Sequence, residues 1–211
     1  MELYFSPLAC SMATRIALYE AGATATFLAV DSRSKRVADG TDYLAVNPLG
    51  QVPALRTDEG EVLTENPVVL QYVADNHPQS GLAPRDGMAR YRLQQWLNFT
   101  TSELHKAVFT PLLDPKSNDG AKAFARDKAA PRLAHLEKHL AGREYLLDRF
   151  TVADAYLVTV LNWGKYSGID LARWPAVQDY FRRVLERPSV KRALAEEEAL
   201  FAEQQARRGA A

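Results

Sequence analysis

Phe5-Ser6-Pro7-Leu8-Ala9-Cys10-Ser11 is the stretch on which the reading of the whole chain turns. Before it, Glu2-Leu3-Tyr4-Phe5 reads as a strand with Leu3 and Phe5 on one face. After it, Ser11 to Ala21 reads as a helix, with Ala13, Ile16, Ala17 and Ala21 at helical spacing and Gly22 as its stop. Pro7 ends the strand, and Cys10 falls at the first helical turn. Unpaired backbone N–H groups and the positive end of the helix dipole favour a thiolate there. An ordinary cysteine, with a pKa of about 8.5, is roughly 3% ionised at neutral pH; a drop of about 1.5 units makes it roughly half ionised. Cys10 is also the only cysteine of the chain. By default a lone cysteine is a small buried hydrophobe, so the rest of the sequence has to decide its role.

Outward from that stretch the first third alternates strand and helix signals. Thr26 to Val30 reads as a second strand, and the polar, basic residues 31–40 read as a loop. A helical turn around Asp42 to Val46 and the turn Asn47-Pro48-Leu49-Gly50 follow. Pro53 to Arg56 and Glu61 to Thr64 form a hairpin through Asp58-Glu59-Gly60. A helix then starts near Pro67, carries Val68, Val69, Tyr72 and Val73, and ends before His77-Pro78. The order β-α-β-α-β-β-α predicts an α/β sheet domain over residues 1–77. The proline- and glycine-bearing segment 78–87 reads as a linker.

Beyond the linker the strand signals stop, and residues 88–211 are predicted to be all α. A long helix from about Met88 to Thr110 places Leu93, Leu97, Leu104 and Val108 on one stripe. Further helices run from about Ala121 to Leu140, from Thr151 through Tyr156, Val160 and Trp163, after Pro175, and from Pro188 into a charged tail ending at Ala211. Thr151-Val152-Ala153-Asp154 has the spacing of a capping box, with Phe150 as a hydrophobic staple. That is a folding signal without a catalytic role.

Composition narrows the function. The 211 residues hold 26 Lys and Arg against 26 Asp and Glu, so no global charge marks a nucleic-acid or anionic-membrane partner. No apolar run reaches membrane-spanning length, and the opening strand does not resemble a signal peptide. One cysteine excludes an intramolecular disulfide and makes a reducing cytoplasm the expected compartment. With no CxxC pair, redox chemistry at Cys10 needs an external thiol.

Three groups of residues bear on chemistry. A cis bond at Val52-Pro53 would present the backbone of Val52 to a peptide-like ligand, although a proline at a strand start also satisfies sterics alone. In Thr64-Glu65-Asn66-Pro67, Asn66 caps a helix that Pro67 begins. Its N-terminus suits a carboxylate and Glu65 suits an amine, the two ends of an amino acid; a simple capped helix accounts for the same residues. Asn98, Ser102, His105 and Phe109, spaced by four, three and four, share one helical face with Glu103 and Lys106 beside it. Such a stripe suits a solvated surface, or a cleft in which His105 donates a proton and Lys106 supplies charge. Phe109, Trp163 and Tyr166 could wall an apolar pocket or fill core. His135 and His139, at i and i+4, lack a third ligand and read as a surface pair rather than a metal site. No Walker or glycine-rich dinucleotide motif is present.

Together these pieces resemble the bacterial beta-class glutathione S-transferases. The resemblance rests on Cys10, Asn47 to Pro53, Leu63-Thr64-Glu65, Trp96-Leu97-Asn98, Ser102 to Lys106 and Phe150 to Leu157, in order along essentially the whole chain. It implies the cytosolic glutathione transferase fold: an α/β thioredoxin-like N-terminal domain plus an all-α C-terminal domain. It further implies a homodimer, glutathione as co-substrate with no resident cofactor or metal, and a hydrophobic electrophile. In that family the residue matching Cys10 contacts the glutathione sulfur and can hold it as a mixed disulfide. By the resemblance Val52, before a cis Pro53, pairs with the cysteinyl backbone of glutathione, Gln51 and Pro53 belong to the same glutathione site, Glu65 and Asn66 hold the γ-glutamyl end, and Lys35 the glycine end. Asn98, Ser102, Glu103, Leu104 and His105 complete the site, and His105 with Lys106 stabilises the sulfur. The family usually has a smaller residue, such as serine, at the position of Asn66 and tyrosine at that of Phe5, whose hydroxyl is here one residue earlier, on Tyr4. Phe5 cannot activate a sulfur, and Ser11 is a secondary candidate. A glutathione-dependent thiol–disulfide oxidoreductase and a non-enzymatic glutathione- or hydrophobic-ligand-binding protein are the two other readings.

Overall fold

The structure is a computed structural model that describes residues 1–209; the end of the charged tail, 210–211, lies outside the described residues. The described residues divide into two compact units, 1–83 with 188–209 and 84–187.

In the first unit, strand β1 (Glu2–Phe5) is central to a four-stranded sheet of order β2-β1-β3-β4, where β2 is Thr26–Ala29, β3 Ala54–Arg56 and β4 Val62–Thr64. β1 runs parallel to β2, with Leu3 opposite Phe27, and antiparallel to β3, with Leu3 opposite Leu55. A parallel pair needs a crossover, which helix α1 (Met12–Ala21) supplies. The antiparallel β3–β4 pair closes through the short turn at Gly60, whose φ of 90° suits glycine. Helix α2 (Asn66–Asn76) packs beside α1, with Ala13, Ile16, Ala17, Val69, Leu70 and Val73 all at zero exposure. Tyr4, Val30, Val37, Tyr43 and Ala54 form a second cluster, in which the Tyr4 and Tyr43 rings lie 5.6 Å apart. The expected strands stand, each of the last three shorter by one residue. Pro53 has no N–H to donate to the ladder, and β3 starts after it.

The last helix departs from the expected partition. The absence of strand signals groups the last helix with the helical domain, yet α9 (Pro188–Gly209) packs on α1 and falls in the first compact unit. The link is electrostatic and buried. Arg15 Nε donates to Glu197 Oε1 at 3.0 Å, and Arg15 Nη1 donates to Glu196 at 2.8 Å. Tyr19 also bonds to Glu196. The Arg15 guanidinium lies over the rings of Phe5 and Phe27, at 4.3 and 4.1 Å from their centroids. Phe5, 1% exposed, thus presents its ring face to a buried cation, a contact that either a phenyl or a phenol ring could make.

The second unit is helical. α3 (Gly87–Asn98) continues through a π-helical segment, Phe99–Phe109, into the short α4 (Thr110–Leu113). α5 (Asp119–Leu140), α6 (Val152–Leu161), α7 (Gly164–Ser167) and α8 (Pro175–Leu185) complete it. The stripe Leu93, Leu97, Leu104 and Val108 is fully buried, as its spacing required. α6 is buried along its whole length and is anchored by Asp154. One carboxylate oxygen of Asp154 accepts from the Thr151 N–H at 2.9 Å and the Thr151 hydroxyl at 3.0 Å. The other accepts from the Leu146 N–H at 2.9 Å and the Tyr180 hydroxyl at 3.0 Å. Burial pushes the Asp154 carboxyl up to about 6 despite those four donors. The capping box is therefore also a tie between α6, α8 and the preceding loop. Replacing Asp154 by alanine leaves these donors unmatched and is expected to cost about 3 kcal/mol, read as a lower urea midpoint at unchanged m-value.

Candidate functional site

In the first unit the site grows from the turn between β1 and α1. Cys10 stands one residue before Ser11, the cap of α1, and its carbonyl accepts the Ala13 N–H at 3.1 Å. The cysteine is thus at the mouth of the helix rather than inside its first turn. Its thiol donates to the Val52 carbonyl at 3.2 Å, and Val52-Pro53 is a cis peptide. The cysteine and the peptide edge expected to serve one ligand therefore touch. The turn itself is held at three points. Ser11 is fully buried, its hydroxyl donating to the Ser6 carbonyl and accepting the Ser6 N–H. That makes Ser11 a brace of the turn and unavailable to a ligand sulfur. Leu8, at φ +61°, donates its N–H to Glu197 Oε2 at 2.7 Å. Asn66 Nδ2 donates to the Cys10 carbonyl at 3.1 Å.

Asn66 differs from its expected role in another way. Glu65, at φ +66°, occupies the cap of α2, and Asn66 and Pro67 form its first positions. The Asn66 side chain is 5% exposed and turned inward, its Oδ1 accepting from the Thr14 hydroxyl at 3.1 Å. It caps nothing; it joins α1, α2 and the cysteine turn. Asn66→Ser removes both bonds and is expected to cost about 1–2 kcal/mol, measured by urea unfolding. Glu65, an exposed residue in a sparsely populated backbone region, is left to face outward from the helix start.

The remaining residues of this unit lie on the loop before Pro53. Gln51 is exposed, and its carbonyl accepts from Tyr43 Oη at 2.6 Å and Asn47 Nδ2 at 2.8 Å. Lys35, at φ +56°, donates its ammonium to the Gly50 carbonyl at 2.9 Å. Gly50 has φ +60°, and a Cβ there would meet the side chains of Leu44 and Lys35 at 3.1 Å. Sequence reasoning did not find Tyr43 or Asn47 as supports of this loop, although the Asn47-Pro48-Leu49-Gly50 signal placed the turn.

In the second unit the expected polar face divides. A π-helix turns less per residue than an α-helix, so residues that would align at three- and four-residue spacing drift apart. Asn98 and Ser102 are exposed and bond to their own helix, Asn98 to Gln94 and Ser102 to Asn98. Glu103 pairs with Arg132. Leu104 is wholly buried, so its side chain presents no surface to a ligand. Lys106 is exposed. His105 turns inward to an aromatic group: its Nδ1 lies 2.8 Å from Tyr156 Oη, and its ring centroid is 4.9 Å from that of Trp163 at 70°. Phe109, fully buried, meets Trp163 edge-on at 6.0 Å. Tyr166 is exposed, with the Lys165 ammonium 5.0 Å from its ring centroid. Phe109 and Trp163 thus gather around His105, and Tyr166 stays apart from them at the surface. Burial, aided by the Lys106 charge, lowers the His105 pKa to about 4, so the imidazole is neutral at physiological pH. It can donate or accept a hydrogen bond but carries no charge. The other histidine pair is not a simple surface pair, for His139 and His135 lie 4.3 and 5.7 Å from the Trp96 ring, and His139 Nε2 contacts the Leu146 carbonyl at 2.9 Å. Among the described residues no group of three or more His, Cys, Asp or Glu is placed to hold a metal ion.

A thioredoxin-like sheet carrying a cysteine against a cis-proline loop, with a helical second unit, is the architecture of the cytosolic glutathione transferases. The family model for the glutathione S-transferase N-terminal domain matches residues 1–75, and that for the C-terminal domain matches residues 100–188. Glutathione S-transferase GstA of Escherichia coli is 41% identical over 199 residues, covering 93% of this chain and 98% of that protein. A ternary complex of BphK, a bacterial GST, superimposes with a TM-score of 0.91 at 48% identity, covering 94% of this chain and 100% of that one. A bacterial beta-class enzyme of Sphingomonas chungbukensis gives a TM-score of 0.89 at 47% identity over 93% and 98% of the two chains. The chain belongs to the glutathione S-transferase family, on the bacterial beta-class side of it.

Proposed function

We propose that this glutathione transferase joins the glutathione thiolate to hydrophobic electrophiles in the cytoplasm, as a homodimer with a detoxifying role. In this reading Cys10 receives the glutathione sulfur and can hold it as a mixed disulfide. Its strongest support is the 3.2 Å contact between the Cys10 thiol and the carbonyl of Val52, before cis Pro53. An extended cysteinyl backbone that pairs with Val52 brings its own sulfur to the cysteine. A sphingomonad glutathione S-transferase complexed with glutathione, 48% identical with a TM-score of 0.90, supports glutathione as the ligand. Lys35 serves the glycine end and Glu65 the amino group of the γ-glutamyl end. The Asn66 side chain is engaged within the fold, so the γ-glutamyl carboxylate meets backbone N–H groups at the start of α2. By the family resemblance His105, which is neutral, is assigned to the sulfur and Lys106 is assigned as a source of positive charge, while Phe109 and Trp163 are assigned to the apolar electrophile pocket.

Steady-state conjugation of glutathione to a chlorodinitrobenzene tests the reading, with light scattering for the dimer. Saturable turnover is expected. Absence of both turnover and glutathione affinity overturns it. The thiol–disulfide oxidoreductase reading keeps the same Cys10 geometry, and the loss of the thiol separates the two.

A further inference from the structure

We propose that Tyr156 is a positioning residue that holds the ring proton of His105 on Nε2, so that His105 meets the glutathione sulfur as a neutral N–H donor. The proposal rests on the assignment of His105 to the sulfur and adds to it the tautomer and the group that sets it.

Tyr156 lies on α6 and is 1% exposed, with its hydroxyl 2.8 Å from His105 Nδ1. A neutral imidazole has one donor nitrogen and one acceptor nitrogen. Between a phenol and a neutral imidazole, the phenol is much the stronger acid and the bare ring nitrogen the stronger base. The bond is therefore O–H to N, with Tyr156 donating and Nδ1 accepting. The one ring proton is then on Nε2. Two ring contacts and one backbone bond confine the residue. Trp163 stands across it at 4.9 Å and 70°, and the Tyr156 ring meets it edge-on at 6.1 Å and 87°. The His105 carbonyl accepts the Thr110 hydroxyl at 2.9 Å, which anchors the backbone on the far side of the π-helical segment. Burial and the neighbouring Lys106 charge keep a second proton off the ring. A donor of fixed direction stabilises a thiolate without drawing a proton from solvent, and orienting partners of this kind commonly determine which histidine nitrogen acts.

The direct test is long-range proton–nitrogen correlation NMR on histidine-labelled protein, practicable with four histidines and assigned through His105→Phe. Wild-type protein is expected to show one neutral tautomer at His105, Nε2 protonated and Nδ1 bare, unchanged from pH 8 down to about pH 5. A proton on Nδ1, or an even mixture, overturns the proposal without reference to activity. Tyr156→Phe keeps the ring volume and removes only the hydroxyl. It is expected to release His105 into mixed tautomers and to lower kcat for conjugation by roughly tenfold with KM for glutathione little changed, the loss of one hydrogen bond to a charged sulfur. In a His105→Phe background the same substitution should change nothing more. An equal loss in that background means that Tyr156 acts as packing and overturns the proposal. Full activity of His105→Phe alone removes His105 from the sulfur and overturns the functional part, while the wild-type tautomer still judges the Tyr156 contact.

Discussion

Cys10→Ala protein is expected to form no adduct with oxidised glutathione, while wild-type protein gains one glutathionyl group by intact mass. The chain has no other cysteine, so the adduct has nowhere else to form. Thiol–disulfide exchange with small disulfides should fall to background in the same variant, because the attacking thiolate is gone. Conjugation is a different matter. There the attacking sulfur belongs to glutathione, and the Val52 loop and His105, the residues proposed to serve it, remain. Roughly a tenth or more of the conjugating activity should survive, the worth of one lost hydrogen bond to a charged sulfur. The pattern of complete loss in one assay and partial loss in the other identifies a transferase. Parallel complete loss in both would identify an oxidoreductase in which Cys10 does the covalent work. An adduct on the alanine variant would place the reactive group elsewhere in the chain.

How much of this was visible beforehand depends on how local each signal was. The sheet came through because its period is two and its turns carry glycine and proline; even the cis bond before Pro53 follows from the Asn47–Pro53 pattern together with the resemblance. The capping box at Thr151 and Asp154 is a four-residue signal, and its geometry stands. The long helix was harder. Its apolar stripe was placed, but the π-helical segment 99–109 rotates its polar residues away from one another, and nothing in the spacing of Asn98, Ser102 and His105 announces that change of pitch. Asn66 looked like a cap because Asn before Pro usually is one. The buried Thr14 hydroxyl, 52 residues away in sequence, draws its side chain inward instead. The position of Ser11 beside Cys10 suggests a sulfur partner, but its bonds to both backbone groups of Ser6 are a local tertiary feature that position alone does not show.

Glu197 is the extreme case of a long-range residue. It sits in the run Glu196-Glu197-Glu198, where charge pattern alone marks all three as solvent-facing, yet it is wholly buried. Replacing it by alanine is expected to destabilise the protein by about 3–5 kcal/mol, the usual result of removing one partner from a buried ion pair. The size follows from what is left behind. Arg15, 3% exposed, keeps Glu196 but loses the acceptor of its Nε, and its Nη2 already has no hydrogen-bond partner among the described residues. The Leu8 N–H, two residues from Cys10, loses its acceptor as well, at a backbone position with φ +61°. The variant should therefore show a second symptom that a distant core lesion would not. Adduct formation at Cys10 should slow in protein that is still folded. The pH dependence gives a further check. Burial raises the Glu197 carboxyl to about 7, against the pull of Arg15 and the Leu8 N–H. A folded-state pKa above the unfolded one means that the native state binds the extra proton, so this contribution to stability is full below about pH 4.5 and is lost as pH rises through 7. His105 works in the opposite sense. Its pKa is lowered to about 4, so its contribution is full above about pH 6.5 and is lost as pH falls toward 4. Between pH 5 and 7 the two slopes oppose one another. Asp154, raised to about 6, slopes the same way as Glu197, so Glu197→Gln removes only part of the fall and should make the pH dependence across that window less negative than the wild type's, as urea midpoints at half-unit steps would record. A variant whose midpoints change with pH just as the wild type's do would show that Glu197 keeps its ordinary pKa inside the fold.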